Sequence, residues 1–334
     1  MAGPFYMDPA ATGSNDGSSW TNAWTSLQTA ADTAVAGEIV YCRGTQTVAA
    51  AIDFDTNAGT NTGGWPKFIG CNASGNRDGT RFCVDVNNSD AHGIVVTVNM
   101  IWFENIEVKN CGGTNKHGFY RNGAGGLGST FINVSSHNNS GYGCHFESSG
   151  TFFFRSTFYA NGHGIYASGY VAFCSSHDNT GNGMYLTANA FACLSYDNGD
   201  DNWTSVSSFA RYINCVSDGA GDDGIVLPGG TSTAGAILIG MRITNQSGAG
   251  DIGLNCGNEN CLTIGCYFED NDGNNIQNDS LHLNISLDGT GATSNVEDQA
   301  NTNEGYVSTT DGSEDFGLRS DASSFEQSIV IPIV

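Results

Sequence analysis

Two acidic pairs, Asp200-Asp201 and Asp222-Asp223, stand 22 residues apart. If the chain returns on itself with that period, four carboxylates meet at one place, with Asp197 and Asp218, 21 residues apart, beside them. Clustered carboxylate oxygens suit Ca2+, a hard cation that takes oxygen ligands. A protonated and an ionised carboxyl side by side are also the machinery of glycoside hydrolysis. Asp200, Asp201, Asp222 and Asp223 are therefore candidate catalytic residues and candidate Ca2+ ligands. In a chain with 34 acidic and 11 basic residues, a solvated acidic turn gives the same pattern with no chemistry attached.

A second set is aromatic. Tyr159, Tyr166, Tyr170 and Tyr185 lie in a ring-rich stretch that also holds Phe152-Phe153-Phe154. Outward-facing rings can stack on sugars, so the four tyrosines are candidate carbohydrate-binding residues, although strand alternation must bury about half of such a set. Arg155 and Arg211 fall in the same region and are expected to project from strand faces. Gly123-Ala124-Gly125-Gly126-Leu127-Gly128 matches G-x-G-x-x-G, but a dinucleotide loop needs a helix after it. The apolar run Phe131 to Ser135 follows instead, which reads as a strand, so the glycines are a loop.

What positions these residues is a repeat. A glycine followed by an apolar residue recurs in His92-Gly93-Ile94, His117-Gly118-Phe119, Tyr142-Gly143-Cys144 and His163-Gly164-Ile165. It returns in Asn182-Gly183-Met184, Asp223-Gly224-Ile225 and Ile252-Gly253-Leu254. The glycine spacings are 25, 25, 21, 19, 41 and 29 residues, so 41 reads as two periods and 29 as one with an insertion. Short apolar runs such as Val171-Ala172-Phe173-Cys174-Ser175 and Ile237-Leu238-Ile239-Gly240-Met241 fall between them, each the size of one strand. One such unit cannot bury its apolar side alone, but stacked units share a continuous core. The expected fold is all-β, a parallel β-helix solenoid whose strands stack about 4.8 Å apart. Asn138, Asn161, Asn179 and Asn198 occupy similar places after their strands and are expected to stack as a turn ladder.

The repeat frames three segments: an N-terminal cap over 1–37, about eleven coils over 38–287, and a C-terminal tail or cap over 288–334 that could serve assembly. In the cap, Trp24, Leu27, Ala30, Ala31 and Ala34 have helical spacing, and Gly37 is expected to stop that short helix. The tail loses the repeat and ends in the apolar Ile329-Val330-Ile331-Pro332-Ile333-Val334, expected to pack on the rod or on a neighbour.

Composition removes several function classes. The net charge is −23, and phosphate binding needs clustered Lys and Arg. Nucleic acid and anionic membranes are thus excluded as partners, and no apolar run reaches the roughly 18–20 residues of a membrane span. The first residues, Met1-Ala2-Gly3-Pro4-Phe5-Tyr6, have neither a basic region nor an apolar core, so they do not read as a secretion signal. The 11 cysteines are scattered within apolar runs, without C-x-x-C or zinc spacing, and read as buried thiols in a reducing compartment.

Tyr6-Met7-Asp8-Pro9, Asn15-Asp16-Gly17-Ser18-Ser19-Trp20 and Ala36-Gly37-Glu38-Ile39-Val40-Tyr41-Cys42-Arg43-Gly44 resemble the opening of pectate-lyase-like right-handed parallel β-helix proteins. The resemblance covers the first 45 residues closely and the coils by pattern. It implies a right-handed coil; because that superfamily spans polysaccharide lyases, glycoside hydrolases, adhesins and phage tailspikes, it leaves the function open. Asp222-Asp223 and Gly162-His163-Gly164 each resemble a polygalacturonase motif, but in reversed order and without the basic motif that grips the substrate. His163 also falls on the repeat position shared by His92, His117, Asn182 and Asp223, which marks it as a turn residue.

The sequence therefore points to a non-catalytic structural or adhesive β-helix protein of a virion surface, such as a capsid decoration protein, fibre or tailspike body, assembled in the host cytoplasm. The expected partners are further copies of the chain, with the trimer of tailspike-type members as one form, or a capsid or tail protein, with a glycan as possible ligand. No cofactor is expected, apart from Ca2+ at the acidic pairs. The alternatives are a polysaccharide lyase or glycoside hydrolase acting on a surface glycan, and a bacterial surface adhesin, extracellular after removal of a signal peptide.

Overall fold

The computed structural model describes residues 4–307 apart from 122–127, 188, 206–209, 228–234, 248–250, 257–259, 270, 272–273, 279–281, 289–293 and 299–305. Most of the glycine loop and the apolar C-terminal run lie outside the described residues.

The chain winds as a right-handed parallel β-helix, the hand that parallel crossovers adopt. One coil illustrates all. Phe152–Phe154 belongs to a first sheet, Thr157–Tyr159 to a second and His163–Ala167 to a third. Each pairs in parallel register with its counterpart one coil on: Phe153 with Val171, Phe158 with Ser176, and Ile165 with Met184. The third sheet has eleven strands among the described residues, from Ile52–Phe54 to Ser294–Asp298. The pairing thus runs past residue 287, and Tyr306–Val307 adds a further strand to the first sheet.

Alternation along each short strand sends one side chain inward, and the inward rings stack. Phe103, Phe131 and Phe153 form a fully buried column, with Phe131 and Phe153 nearly parallel at 4.6 Å. All 11 cysteines are buried and free. Cys174, Cys193 and Cys215 form a column of their own, in which the backbone N–H groups of Cys174 and Cys193 donate to the sulfur one coil on, each at 3.4 Å. Burial pushes the Cys174 and Cys215 thiols upward and keeps them protonated.

A single left-handed residue makes the sharp corner between first and second sheets: Asn105, Asn133, Arg155, Phe173, Ala192 and Asn214 all have positive φ. Arg155 therefore sits in a corner (φ 52), not on a strand face; Arg211 does project outward from its strand. The next corner, between second and third sheets, carries the asparagine ladder with one shift from expectation. Asn139, not the exposed Asn138, stacks with Asn161, Asn179 and Asn198. Asn138 supplies the left-handed turn just before the ladder, as Ala160, Asp178 and Asp197 do in the following coils. The side-chain carbonyls of Asn161, Asn179 and Asn198 accept the backbone N–H of the asparagine below, at 3.0–3.2 Å, and that of Asn139 accepts the Cys111 N–H at 3.0 Å.

The ladder explains the glycines. A Cβ on Gly164 would run into Ser176 Oγ and Asn179 Nδ2, and one on Gly183 into Ser195 Oγ and Asn198 Nδ2. The spacing of 41 hides a coil in which Asn202 takes the glycine's place, since Trp203 pairs with Met184 below and Ile225 above. The ladder position above Asn202 is Ala220, which leaves room for the Asn202 amide to donate to Ser217 Oγ and the Asp218 carbonyl.

The N-terminal cap holds a seven-residue helix, Leu27–Thr33, with Leu27, Ala30 and Ala31 buried. It ends at Ala34 in extended backbone; Gly37 (φ 85) shapes the later turn into the first long strand. Phe5–Met7 is already a strand of the first sheet, paired with 40–42. The opening motif closes around it: Arg43 bonds Asp8 at 2.7 Å and lies over the Trp20 ring, against which Tyr6 packs.

Candidate functional site

The residue before the repeat glycine, or before Asn202 where that stands in its place, has a recurrent task. His92 Nδ1 accepts the backbone N–H of His117, His117 Nδ1 that of Tyr142, and His163 Nδ1 that of Asn182, at 2.9–3.0 Å. Asp201 Oδ1 does the same for Asp223 at 3.3 Å, and Asp223 Oδ1 for Ile252 at 2.8 Å. At these five places the residue is a staple between coils, made by a side chain that can accept; Tyr142 and Ile252 hold the same position in other coils. An accepting Nδ1 requires a neutral ring, and burial accordingly lowers all three histidines, with His117 pushed down to about 3. His163 is thus a staple in the fold.

The acidic pairs do meet, but as three. Carboxylate oxygens of Asp200, Asp201 and Asp222 lie within 4.8 Å of one another. Asp223 turns inward, 8% exposed, with Oδ2 accepting from Asn255 Nδ2 at 3.0 Å. Asp201 is half-buried, and its Oδ2 accepts from Thr204 Oγ1 and Asn182 Nδ2. Burial, then the neighbouring Asp200 charge, lifts the Asp201 carboxyl to about 7 against the opposing Thr204 bond; burial raises Asp223 as well. Asp197 and Asp218 stay outside the trio, since Asp218 Oδ1 is taken by Thr244 Oγ1 and Asn245 Nδ2. Three carboxylates carry up to six oxygens and suit Ca2+ by type and number. Three of those oxygen–donor directions at Asp201 are already used within the fold.

The four tyrosines do not converge. Tyr159 lies on the second sheet in a stack of parallel rings, His137, Tyr159, His177 and Tyr196, spaced 4.6–5.2 Å. Tyr166 and Tyr185 stack on the third sheet at 5.0 Å. Tyr170 stands on the first sheet, 57% exposed. There it borders a groove of about 460 Å³ with Phe152, Phe191 and Arg211. The sequence reading missed this groove; the signal was the run of strands whose outward as well as inward positions are apolar.

No protein-family model matches the chain, and no curated protein does. Solved structures do. Pectate lyase Pel9A superposes with a TM-score of 0.59 at 18% identity, over 91% of this chain and 80% of the other. A rhamnogalacturonan lyase follows with 0.53 at 14%, over 94% and 89%. A Geobacillus virus E2 protein, ORF18, aligns more loosely, at 0.39 and 16% over 91% and 61%, and adds nothing to these. The likeness defines the class: the fold is the pectate-lyase-like right-handed parallel β-helix.

Proposed function

We propose that the chain is a non-catalytic, structural or adhesive rod of a virion surface, a decoration protein, fibre or tailspike body that contacts a capsid or tail protein and can engage a glycan. One observation carries this reading. The side chains with chemistry to offer, His163, Asp201 and Asp223, each accept backbone N–H bonds from the next coil, so their polar capacity serves the stacking of the rod. The buried free thiols fit folding in a reducing host cytoplasm. No helix among the described residues is long and apolar enough to cross a membrane.

A second reading, a polysaccharide lyase or glycoside hydrolase, is favoured by the Asp200, Asp201 and Asp222 trio, where a carboxyl lifted to about 7 stands beside two others. A depolymerisation screen on purified protein, run with Ca2+ and with chelator, separates the two. The rod reading expects no new reducing ends and no unsaturated products. Cleavage that disappears in Asp200→Asn with Asp222→Asn overturns it.

A further inference from the structure

One corner position carries sulfur through five successive coils. Ser175, Leu194, Val216, Arg242 and Tyr267 stand in one register column, and the residues just before them are Cys174, Cys193, Cys215, Met241 and Cys266. None of the five is more than 2% exposed. Three of the sulfurs are held alike. Each accepts a backbone N–H from the coil below, that of Ser156, Cys174 and Cys193 in turn, at 3.4 Å. Each also donates to the carbonyl two residues before it, of Ala172, Phe191 and Ile213, at 3.3–3.4 Å. Sulfurs set identically in each coil repeat at the coil spacing, about 4.8 Å. The hydrogen bonds do not account for the choice of sulfur. Ser156 fills the same place one coil earlier, where its Oγ accepts the Val134 N–H at 3.3 Å, and Met241 has no S–H to donate.

We propose that the sulfurs of Cys174, Cys193 and Cys215 form a site for a monovalent thiophilic cation, Cu(I), bound in line between two successive coils. Two features select that class. Two metal–thiolate bonds of about 2.3 Å set end to end span about 4.6 Å, close to the coil spacing, whereas a disulfide would have to draw the Cβ atoms of two coils to about 3.8 Å. Sulfurs in a line also do not supply the four tetrahedral corners of a structural zinc, while Cu(I) favours thiolate and thioether donors. The exchange balances without an oxidant. Cu(I) takes the place of one thiol proton, which leaves to solvent, so the site stays neutral in the dry core, and the facing sulfur contributes a lone pair. Cys193 is the group placed to give up that proton: the flanking thiols of Cys174 and Cys215 lower it, against burial, which raises it. The proposal needs only the fold and holds whether or not the rod is adhesive.

The test is anaerobic titration of the full chain with Cu(I), added to the folded protein and, separately, during refolding, with bicinchoninate as the competing chelator. Wild type should retain Cu(I) and release about one proton for each ion bound. Cys193→Ser keeps a hydroxyl of the kind Ser156 places there but takes a sulfur from both gaps, and should bind at least about a hundredfold more weakly. Cys174→Ser and Cys215→Ser each leave one gap intact and should bind nearly as wild type does. Cys83→Ser, a thiol outside the column that bonds Glu107 at 3.5 Å, should change nothing. A wild type that yields all its Cu(I) to the chelator by both routes overturns the proposal, as does a Cys193→Ser chain that retains it. Should Cys193→Ser misfold, X-ray absorption on the loaded wild type decides. Two sulfur neighbours in line are expected; nitrogen or oxygen neighbours, or three or more sulfurs, reject the site.

Discussion

Asp201 Oδ1 accepts the backbone N–H of Asp223 in the next coil, at 3.3 Å, while the Asp201 carboxyl is lifted to about 7. The same group therefore staples the rod and strains it electrostatically. A carboxyl whose folded-state pKa exceeds its unfolded value near 4 takes up protons on folding between those two pH values. Its ionisation thus destabilises the fold as pH rises from about 4 to about 7. An Asn at 201 can keep Oδ1 for the Asp223 N–H, but its Nδ2 then meets the Asn182 Nδ2 donor that Asp201 Oδ2 accepts, a loss that is the same at every pH. Measured against wild type, Asp201→Asn should therefore gain about 1–2 kcal/mol in stability between pH 4 and pH 8, the full shift being discounted for partial exposure. Denaturant midpoints at the two pH values check this; equal effects at both would remove the electrostatic account.

His117 has the opposite sign. Its folded pKa is lowered to about 3 by burial first, then by nearby His145 and His92, below an unfolded value near 6.5. The unfolded chain binds the extra proton, so the stability this group contributes is present above about pH 6.5 and is lost as pH falls towards 3. NMR titration of the ring should show no protonation down to pH 4. His117→Asn, which keeps an acceptor for the Tyr142 N–H, should flatten the loss of stability between pH 6.5 and 4.

The ladder separates neighbouring asparagines. Asn179 Nδ2 donates to Asn198 Oδ1 at 2.8 Å and Ser176 Oγ at 3.1 Å, and its Oδ1 accepts the Asn161 backbone N–H at 3.0 Å. Asn179→Ala leaves several of these groups buried without a partner and should cost about 3 kcal/mol. Asn138→Ala removes an exposed side chain from a left-handed corner (φ 56) and should cost no more than about 1 kcal/mol. Gly164→Ala should cost about 1–3 kcal/mol, because the new methyl meets Ser176 and Asn179. Chemical denaturation of the three variants checks the order; an Asn138 effect as large as that of Asn179 would relocate the ladder.

The repeat was legible because its glycines are forced. Wherever the coil above carries a ladder asparagine and an inward serine, no side chain fits, so Gly164 and Gly183 mark the period in the sequence. Where the asparagine becomes Ala220, the constraint lifts and Asn202 breaks the visible period, and that coil had to be inferred from the spacing. Asn138 and Asn139 differ only by a corner dihedral, which residue type does not encode. The acidic trio was foreseen through the period of 22, but Asp223 turned inward because its Oδ1 is needed by Ile252. The tyrosines were grouped by proximity in sequence, and three sheets per coil send near neighbours to different faces: Tyr166 and Tyr170 are four residues apart and lie on separate sheets.

Cation binding at the acidic trio has its own signature, distinct from pH alone. Asp200, Asp201 and Asp222 hold oxygens within 4.8 Å, a spacing that crowds like charges unless a proton or a cation intervenes. At pH 8 the proton is gone from a carboxyl that titrates near 7, so Ca2+ should stabilise most there and little at pH 5, where protons compete. The expected result is a melting temperature raised by several degrees in millimolar Ca2+ at pH 8, reversed by chelator and absent in Asp222→Asn. Asp201→Asn removes one ligand charge and should reduce the Ca2+ response, while in chelator its melting temperature should gain on that of wild type from pH 5 to pH 8. Those two shifts run in opposite directions, so a merely structural role of Asp201 predicts the second without the first. Differential scanning calorimetry in Ca2+ and in chelator at pH 5 and pH 8 reads both. A melt indifferent to Ca2+ at pH 8 leaves the trio as a solvated turn whose only task is the staple from Asp201 to Asp223.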